Sequence, residues 1–370
     1  MSRIFVFVLG YALAGAPLAK PAWGASATSG ARRTKRPAAR PPAPLYNPTE
    51  GDNVDGDDLT IRRAAVTALG NQNGSVVVVD PASGRVLTIV NQKLAFKSGF
   101  IPCSTIKLVT ALAALSEHLV ERDQVIHLNR RLSFNLTNAL AVSNNDYFAY
   151  LGRRLGFERV VRYAQMLGLG QKAGLDIEGE QPGEVVSEEP REGGVGMMTS
   201  FGTGFLVTPL ELAGVLTVLA NGGTLYYLKY PRTEAEGESF KPEIKRSLEL
   251  APNGIDDIKV GMRGAVDFGT ARRAAYDPSE AVFGKTGTCT DYHAGATFMG
   301  WFGSFTDAGP HQVVVVVMLT SPRHNVSGGL ASSVAGAFYK NLAAQQYFAS
   351  DAPRRDGMPE ILVTKSCCSR

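Results

Sequence analysis

The stretch Ser104-Thr105-Ile106-Lys107-Leu108-Val109-Thr110-Ala111-Leu112-Ala113-Ala114-Leu115 sets a hydroxyl and an amine three residues apart at the head of an alanine- and leucine-rich run. Leu108, Ala111, Leu112 and Leu115 recur at helical spacing, so the run reads as a buried helix continuing to about Leu119. Ser104 and Lys107 then share a face. An unprotonated lysine in a dry site can take the serine proton, and the positive helix end favours a developing anion. Alone the pair is weak evidence, because Ser-x-x-Lys arises about once by chance in a chain of ordinary composition. A capping serine beside an exposed lysine would give the same letters.

The flanking chain says what this helix packs into. Upstream, Ser75 to Val79 is β-branched and ends in Asp80-Pro81-Ala82-Ser83-Gly84, and Val86 to Val90 resumes the apolar pattern, which reads as a hairpin. Downstream, Asp146 to Leu155 and Phe157 to Leu167 are helical, a glycine-punctuated region follows, and another helix runs from Pro209 to Asn221-Gly222-Gly223. Strands return at Val282 to Thr288, Ala296 to Phe305 and Gln312 to Leu319, with a closing helix at about Gly329 to Leu342. The expected fold is mixed α/β of the α+β type, with a central antiparallel sheet built from both chain ends, flanked by helices and carrying an inserted helical lobe.

Two further motifs carry chemistry. Ser143-Asn144-Asn145 precedes a helix, where a hydroxyl and a carboxamide could relay a proton and hold an amide. A rival of the same form, Ser133-Phe134-Asn135, lies ten residues upstream in a poorer context, and a plain helix cap is the other reading of Ser143. Lys285-Thr286-Gly287-Thr288 lies in an expected edge strand. There Gly287 would let a bound chain approach, Lys285, Thr286 and Thr288 suit a carboxylate, and the Thr288 N–H can point at an oxyanion. The three in this order, each in its expected context, form a strong signature.

The chain has 370 residues and a net charge of +4, but residues 1–45 hold seven basic side chains and no acid, which leaves the body at −3. That balance speaks against nucleic acid as a partner. Residues 1–27 read as a secretory signal, with Arg3, an uncharged run from Ile4 to Ala19 and small residues at Ala22-Trp23-Gly24 and Ala25-Ser26-Ala27. The expected location is across the inner membrane, periplasmic or in the cell envelope, and membrane-anchored if the signal stays uncleaved. Residues 28–71 read as a Pro/Arg/Ala-rich linker, whose Arg32-Arg33-Thr34-Lys35-Arg36 run offers a contact with an anionic membrane surface or wall polymer. The folded domain is expected at 72–346 and a polar tail at 347–370.

With its three motifs the sequence resembles the penicillin-binding proteins, specifically the class B transpeptidase domain, within the wider group of serine β-lactamases. The likeness extends to Val76 to Leu87, Gly174-Leu175-Asp176-Ile177 with Gly179-Glu180 and Gly183, Ser200-Phe201-Gly202-Thr203-Gly204, Thr208-Pro209-Leu210-Glu211-Leu212-Ala213, and Gly269-Thr270-Ala271. The resemblance implies a D,D-transpeptidase in which Ser104 attacks a D-Ala-D-Ala stem peptide with Lys107 as base. Ser143 and Lys285 would relay the proton, and the N–H groups of Ser104 and Thr288 would form the oxyanion hole. Asn145, Thr286, Gly287 and Thr288 would bind the peptide. Peptidoglycan stem peptides and β-lactams are the implied partners, with no cofactor and no metal; His118, His127, His293, His311 and His324 show no ligand spacing.

The chain also departs from the family. Cys103 stands where the family has Gly before the nucleophile, and Thr203 where it has Gln. The interval from Ser104 to Ser143 is short, and the stretch before residue 72 leaves no room for the usual pedestal domain. Carbapenem-hydrolysing class A β-lactamases have a disulfide at the positions of Cys103 and Cys289, which implies such a bridge here; two buried free thiols are the alternative. A D,D-carboxypeptidase, a β-lactamase and a non-turnover sensor are the rival functions. Against a β-lactamase, no Asn occurs between Asn145 and Asn221 to accompany a deacylating Glu, and Glu178, Glu180, Glu184, Glu188 and Glu189 read as surface or loop carboxylates.

Overall fold

Two valine runs set the layers of the molecule. Val77, Val79, Val314, Val316 and Met318 enter one apolar core, while Val76, Val78, Val315, Val317 and Leu319 enter another. Side chains alternate across a strand, so a sheet covered on both faces reads as an unbroken apolar run. The computed structural model describes residues 47–277, 280–292, 296–307 and 311–349. Its central sheet comprises β1 (Gly74–Val79), β2 (Val86–Val90), β3 (Val282–Asp291), β4 (Thr297–Thr306) and β5 (Val314–Ser321). The order is β2-β1-β5-β4-β3, every neighbour antiparallel, so β3 forms an edge.

Helices α1 (Leu59–Leu69) and, at the chain's end, α9 (Gly328–Ala343) cover one face of the sheet. On the other face lie a 3₁₀ turn (Cys103–Ile106), α2 (Lys107–Ser116), α3 (Leu136–Ala141), α4 (Asn145–Leu155), α5 (Phe157–Met166), α6 (Gly194–Phe201), α7 (Pro209–Asn221) and α8 (Gly254–Asp267). In α7 a capping box fixes the start: Thr208 Oγ1 accepts from Glu211 N–H while the Glu211 carboxylate accepts from Thr208 N–H. The mixed architecture with helices inserted between β2 and β3 is the one expected.

The domain boundaries shift. The stretch assigned to the linker is folded from residue 47: Asp58 caps α1 by accepting from Thr60 and Ile61 N–H, and Ile61, Ala64, Ala65 and Leu69 are buried against the sheet. Arg62 is buried too, paired with Asp52 at 2.7 Å and Asp57 at 2.9 Å. At the other end Tyr347 and Phe348, assigned to the polar tail, pack against the same core. The expected signal, the basic run at 32–36 and Cys367 and Cys368 lie outside the described residues.

Candidate active site

Ser104 sits in the 3₁₀ turn that leads into α2, and Lys107 is the first residue of that helix. Lys107 is fully buried, unlike the exposed lysine of a plain capping pair, and Phe148 closes one side with its ring centroid 5.6 Å from Nζ. That burial lowers the amine to about 7 from its ordinary 10.5. Nζ stands 2.9 Å from Ser104 Oγ, 3.1 Å from Ser143 Oγ, 2.8 Å from Ser143 O and 2.6 Å from Asn145 Oδ1. A neutral amine has two donors and one lone pair. Donation to Ser143 O and Asn145 Oδ1 leaves that lone pair free to accept the Ser104 proton.

Ser143 is held between α3 and α4 in the left-handed region at φ 58°, a conformation that costs a non-glycine residue energy. Asn144, not Ser143, caps α4 by accepting from Tyr147 N–H, so the Ser143 hydroxyl is free to face the lysines. Lys285 Nζ, fully buried on β3, donates to Ser143 Oγ at 2.8 Å and to Thr286 O at 3.0 Å. Burial, and then the neighbouring Lys107, push its amine well below the ordinary lysine range. Ser143 Oγ therefore bridges two amines whose proton affinity is lowered by their burial. Ser133 lies elsewhere: it is exposed, on a two-residue ladder, with its Oγ 2.8 Å from His127 Nδ1.

Cys103 and Cys289 form a disulfide with Cα atoms 5.6 Å apart, joining the 3₁₀ turn to β3. Cys103 takes φ 52°, so both motif serines border or occupy strained backbone. At Gly287 an added Cβ would lie 3.0 Å from Pro102 O and 3.2 Å from Cys103 Cβ. The glycine thus admits this chain's own 102–103 segment, where the sequence suggested a bound peptide. Trp301 fixes that segment from β4, donating through Nε1 to Ile101 O at 3.0 Å. Thr286 and Thr288 face α9: Thr288 Oγ1 accepts from Gly328 N–H at 2.8 Å, which leaves the Thr288 hydroxyl proton available to an anion.

A family model described as the penicillin binding protein transpeptidase domain matches residues 74–343. The chain belongs to this family. Among curated relatives of this transpeptidase-domain chain, stage V sporulation protein D of Bacillus subtilis is 29% identical, covering 80% of this chain and 49% of the relative. A probable peptidoglycan D,D-transpeptidase, PbpC of Pseudomonas aeruginosa, is 27% identical over 73% of this chain and 53% of its own length. The chain spans about half the length of these relatives. The fold matches Pseudomonas aeruginosa PBP2 with a TM-score of 0.68 at 22% identity, covering 82% of this chain and 78% of that one. It matches the transpeptidase domain of Burkholderia pseudomallei penicillin-binding protein 3 equally, at 20% identity over 85% and 100%.

The loop carboxylates of this family member are less uniform than expected. Glu178, Glu184, Glu188 and Glu189 are surface or loop groups, but Glu180 is buried and accepts from the Ala173 and Gly174 N–H groups. Sequence reasoning also passed over Thr270, whose Oγ1 lies 2.6 Å from Thr286 Oγ1. Only the resemblance of Gly269-Thr270-Ala271 to a family stretch pointed toward it.

Proposed function

We propose that this protein is a serine D,D-transpeptidase that cross-links peptidoglycan through an acyl-enzyme. The observation that carries the reading is the continuous chain Ser104–Lys107–Ser143–Lys285, with contacts of 2.9, 3.1 and 2.8 Å. Family membership and relatives named as peptidoglycan D,D-transpeptidases support it. Ser104 Oγ attacks the penultimate carbonyl of a stem peptide ending in D-Ala-D-Ala while Lys107 takes its proton. Ser143 passes its own proton to the departing D-Ala amine and is reprotonated from the lysine pair. The Ser104 and Thr288 N–H groups stabilise the tetrahedral oxyanion, Asn145 borders the peptide, and Thr286 and Thr288 take the terminal carboxylate. Attack by an amine of a second strand releases the acyl group and forms the cross-link; attack by water gives carboxypeptidase action. A β-lactam acylates the same serine.

Two buried carboxylates, Glu180 in the loop region and Glu211 at the head of α7, are already occupied. Glu180 accepts from Ala173 and Gly174, and Glu211 from Gly170, Gln171, Gly183 and Thr208, which disfavours either as a deacylating base. We place the mature protein outside the inner membrane, released there by cleavage of the signal or tethered by a retained one. The Cys103–Cys289 bridge suits that oxidising compartment, and the basic run near residue 32 would meet anionic envelope polymers. Among the described residues no helix is long and apolar enough to cross a membrane.

The test is incubation with a stem pentapeptide and a labelled D-amino acid acceptor, followed by mass spectrometry. The expected product carries the label in place of terminal D-Ala, and only with Ser104 intact. Tetrapeptide without label would shift the assignment to a carboxypeptidase, and unchanged pentapeptide would refute D,D-peptidase action.

A further inference from the structure

Thr270 follows α8 and is not part of the three motifs, yet its backbone and side chain join both walls of the site. Its N–H donates to Ala141 O at 3.1 Å, and an added Cβ on Gly269 would lie 2.1 Å from that same oxygen. The segment is therefore pressed against the end of α3, two residues before Ser143. Its side chain reaches the other wall, where Oγ1 meets Thr286 Oγ1 at 2.6 Å. Thr286 is buried, 6% exposed, and hemmed by α9, where an added Cβ on Gly328 would stand 2.7 Å from Thr286 Cβ. Thr270 is exposed.

We propose that Thr270 is a positioning and specificity residue for the substrate's terminal carboxylate, acting as the partner that orients the Thr286 hydroxyl. The inference rests on the transpeptidase reading above. Two hydroxyls hold two protons, and their mutual hydrogen bond uses one. When Thr270 donates to Thr286, the Thr286 proton is the one left over for a bound anion. An anion bound there draws on both dipoles, since each hydrogen bond in such a chain polarises the next. Beside it, Thr288 offers its own proton because its oxygen already accepts from Gly328 N–H. Three threonines thus present two directed protons to one carboxylate. Without the Thr270 oxygen, Thr286 loses its hydrogen-bond partner and its proton is no longer aimed.

Thr270→Val keeps the shape and the backbone bond to Ala141 and removes only the hydroxyl; Thr270→Ser restores it. The measurement is the acylation rate of wild type and both variants with benzylpenicillin and with its methyl ester, which lacks the anion, across a concentration series and with melting temperatures recorded alongside. Thr270→Val is expected to slow acylation by the acid by about tenfold, through weaker saturation and not a lower limiting rate. Acylation by the ester should stay within about twofold of wild type, and Thr270→Ser should recover the preference for the acid. Equal losses with acid and ester, an unchanged preference, or no recovery with serine would overturn the inference. A wild type acylated by neither compound would instead overturn the functional reading beneath it.

Discussion

Burial alone moves the Lys107 amine to about 7, and the same burial makes it both a base and a burden. Acylation needs the neutral form, so its rate is expected to rise with pH, level off above about 7, and fall about tenfold per unit below it. A pH profile of acylation for the wild type checks this; a rate independent of pH from 5 to 9 would contradict it. The stability consequence runs in the same direction with pH. Between about 7 and the ordinary 10.5 the unfolded chain holds a proton that the folded chain lacks, so this group's contribution to stability rises with pH across that window. Lys107→Met should therefore abolish acylation while raising the melting temperature at pH 7, with the gain shrinking toward pH 10. A loss of stability at pH 7 would show that the bonds to Ser143 and Asn145 outweigh the burial of the amine.

At the scale of elements, α1 is the piece whose importance the sequence hid. Its buried Ile61, Ala64, Ala65 and Leu69 are worth on the order of 5 kcal/mol by apolar area, an upper figure because the unfolded chain is itself partly collapsed. A chain starting at residue 72 should be insoluble or melt well below one starting at residue 47; equal melting temperatures would remove α1 from the fold's essential parts. The signal was present in Asp58 ahead of Leu59 and Ile61, but it adjoined a polar, proline-broken stretch and took that stretch's character. Helix α8 was concealed by Gly254, Gly261 and Gly264, two of which admit neighbours: a Cβ on Gly261 would meet Leu140 at 2.7 Å, and one on Gly264 would meet Phe268 at 2.9 Å. The site lysines and serines were legible because each motif is local, and the edge position of β3 was expected from its Lys285-Thr286-Gly287-Thr288 motif, whereas the strand order β2-β1-β5-β4-β3 was not read from the sequence. Contacts between segments far apart, such as Thr270 with Thr286 or Trp301 with Ile101, leave no local pattern to read.

Across the whole molecule, the site is assembled where the central sheet meets the inserted helices. Ser104 and Lys107 come from the first third, Ser143 from the helical lobe and Lys285 from the returning sheet. The disulfide clamps this junction, closing a separation of 186 residues. Chain entropy gives on the order of 5 kcal/mol as its ceiling. Reduction, or the Cys103→Ala/Cys289→Ala pair, should lower the melting temperature by several degrees. It should slow acylation as well, because the bridge holds Ser104 and Thr288, one residue from each cysteine, in register. The central claim is that Ser104 is a nucleophile activated by the two buried lysines. Intact mass after mixing with penicillin, followed over time beside Ser104→Ala, tests it most directly. The account predicts a persistent adduct of one drug molecule on the wild type and none on the variant. An adduct that survives in Ser104→Ala, or a wild type that never gains mass, would contradict it.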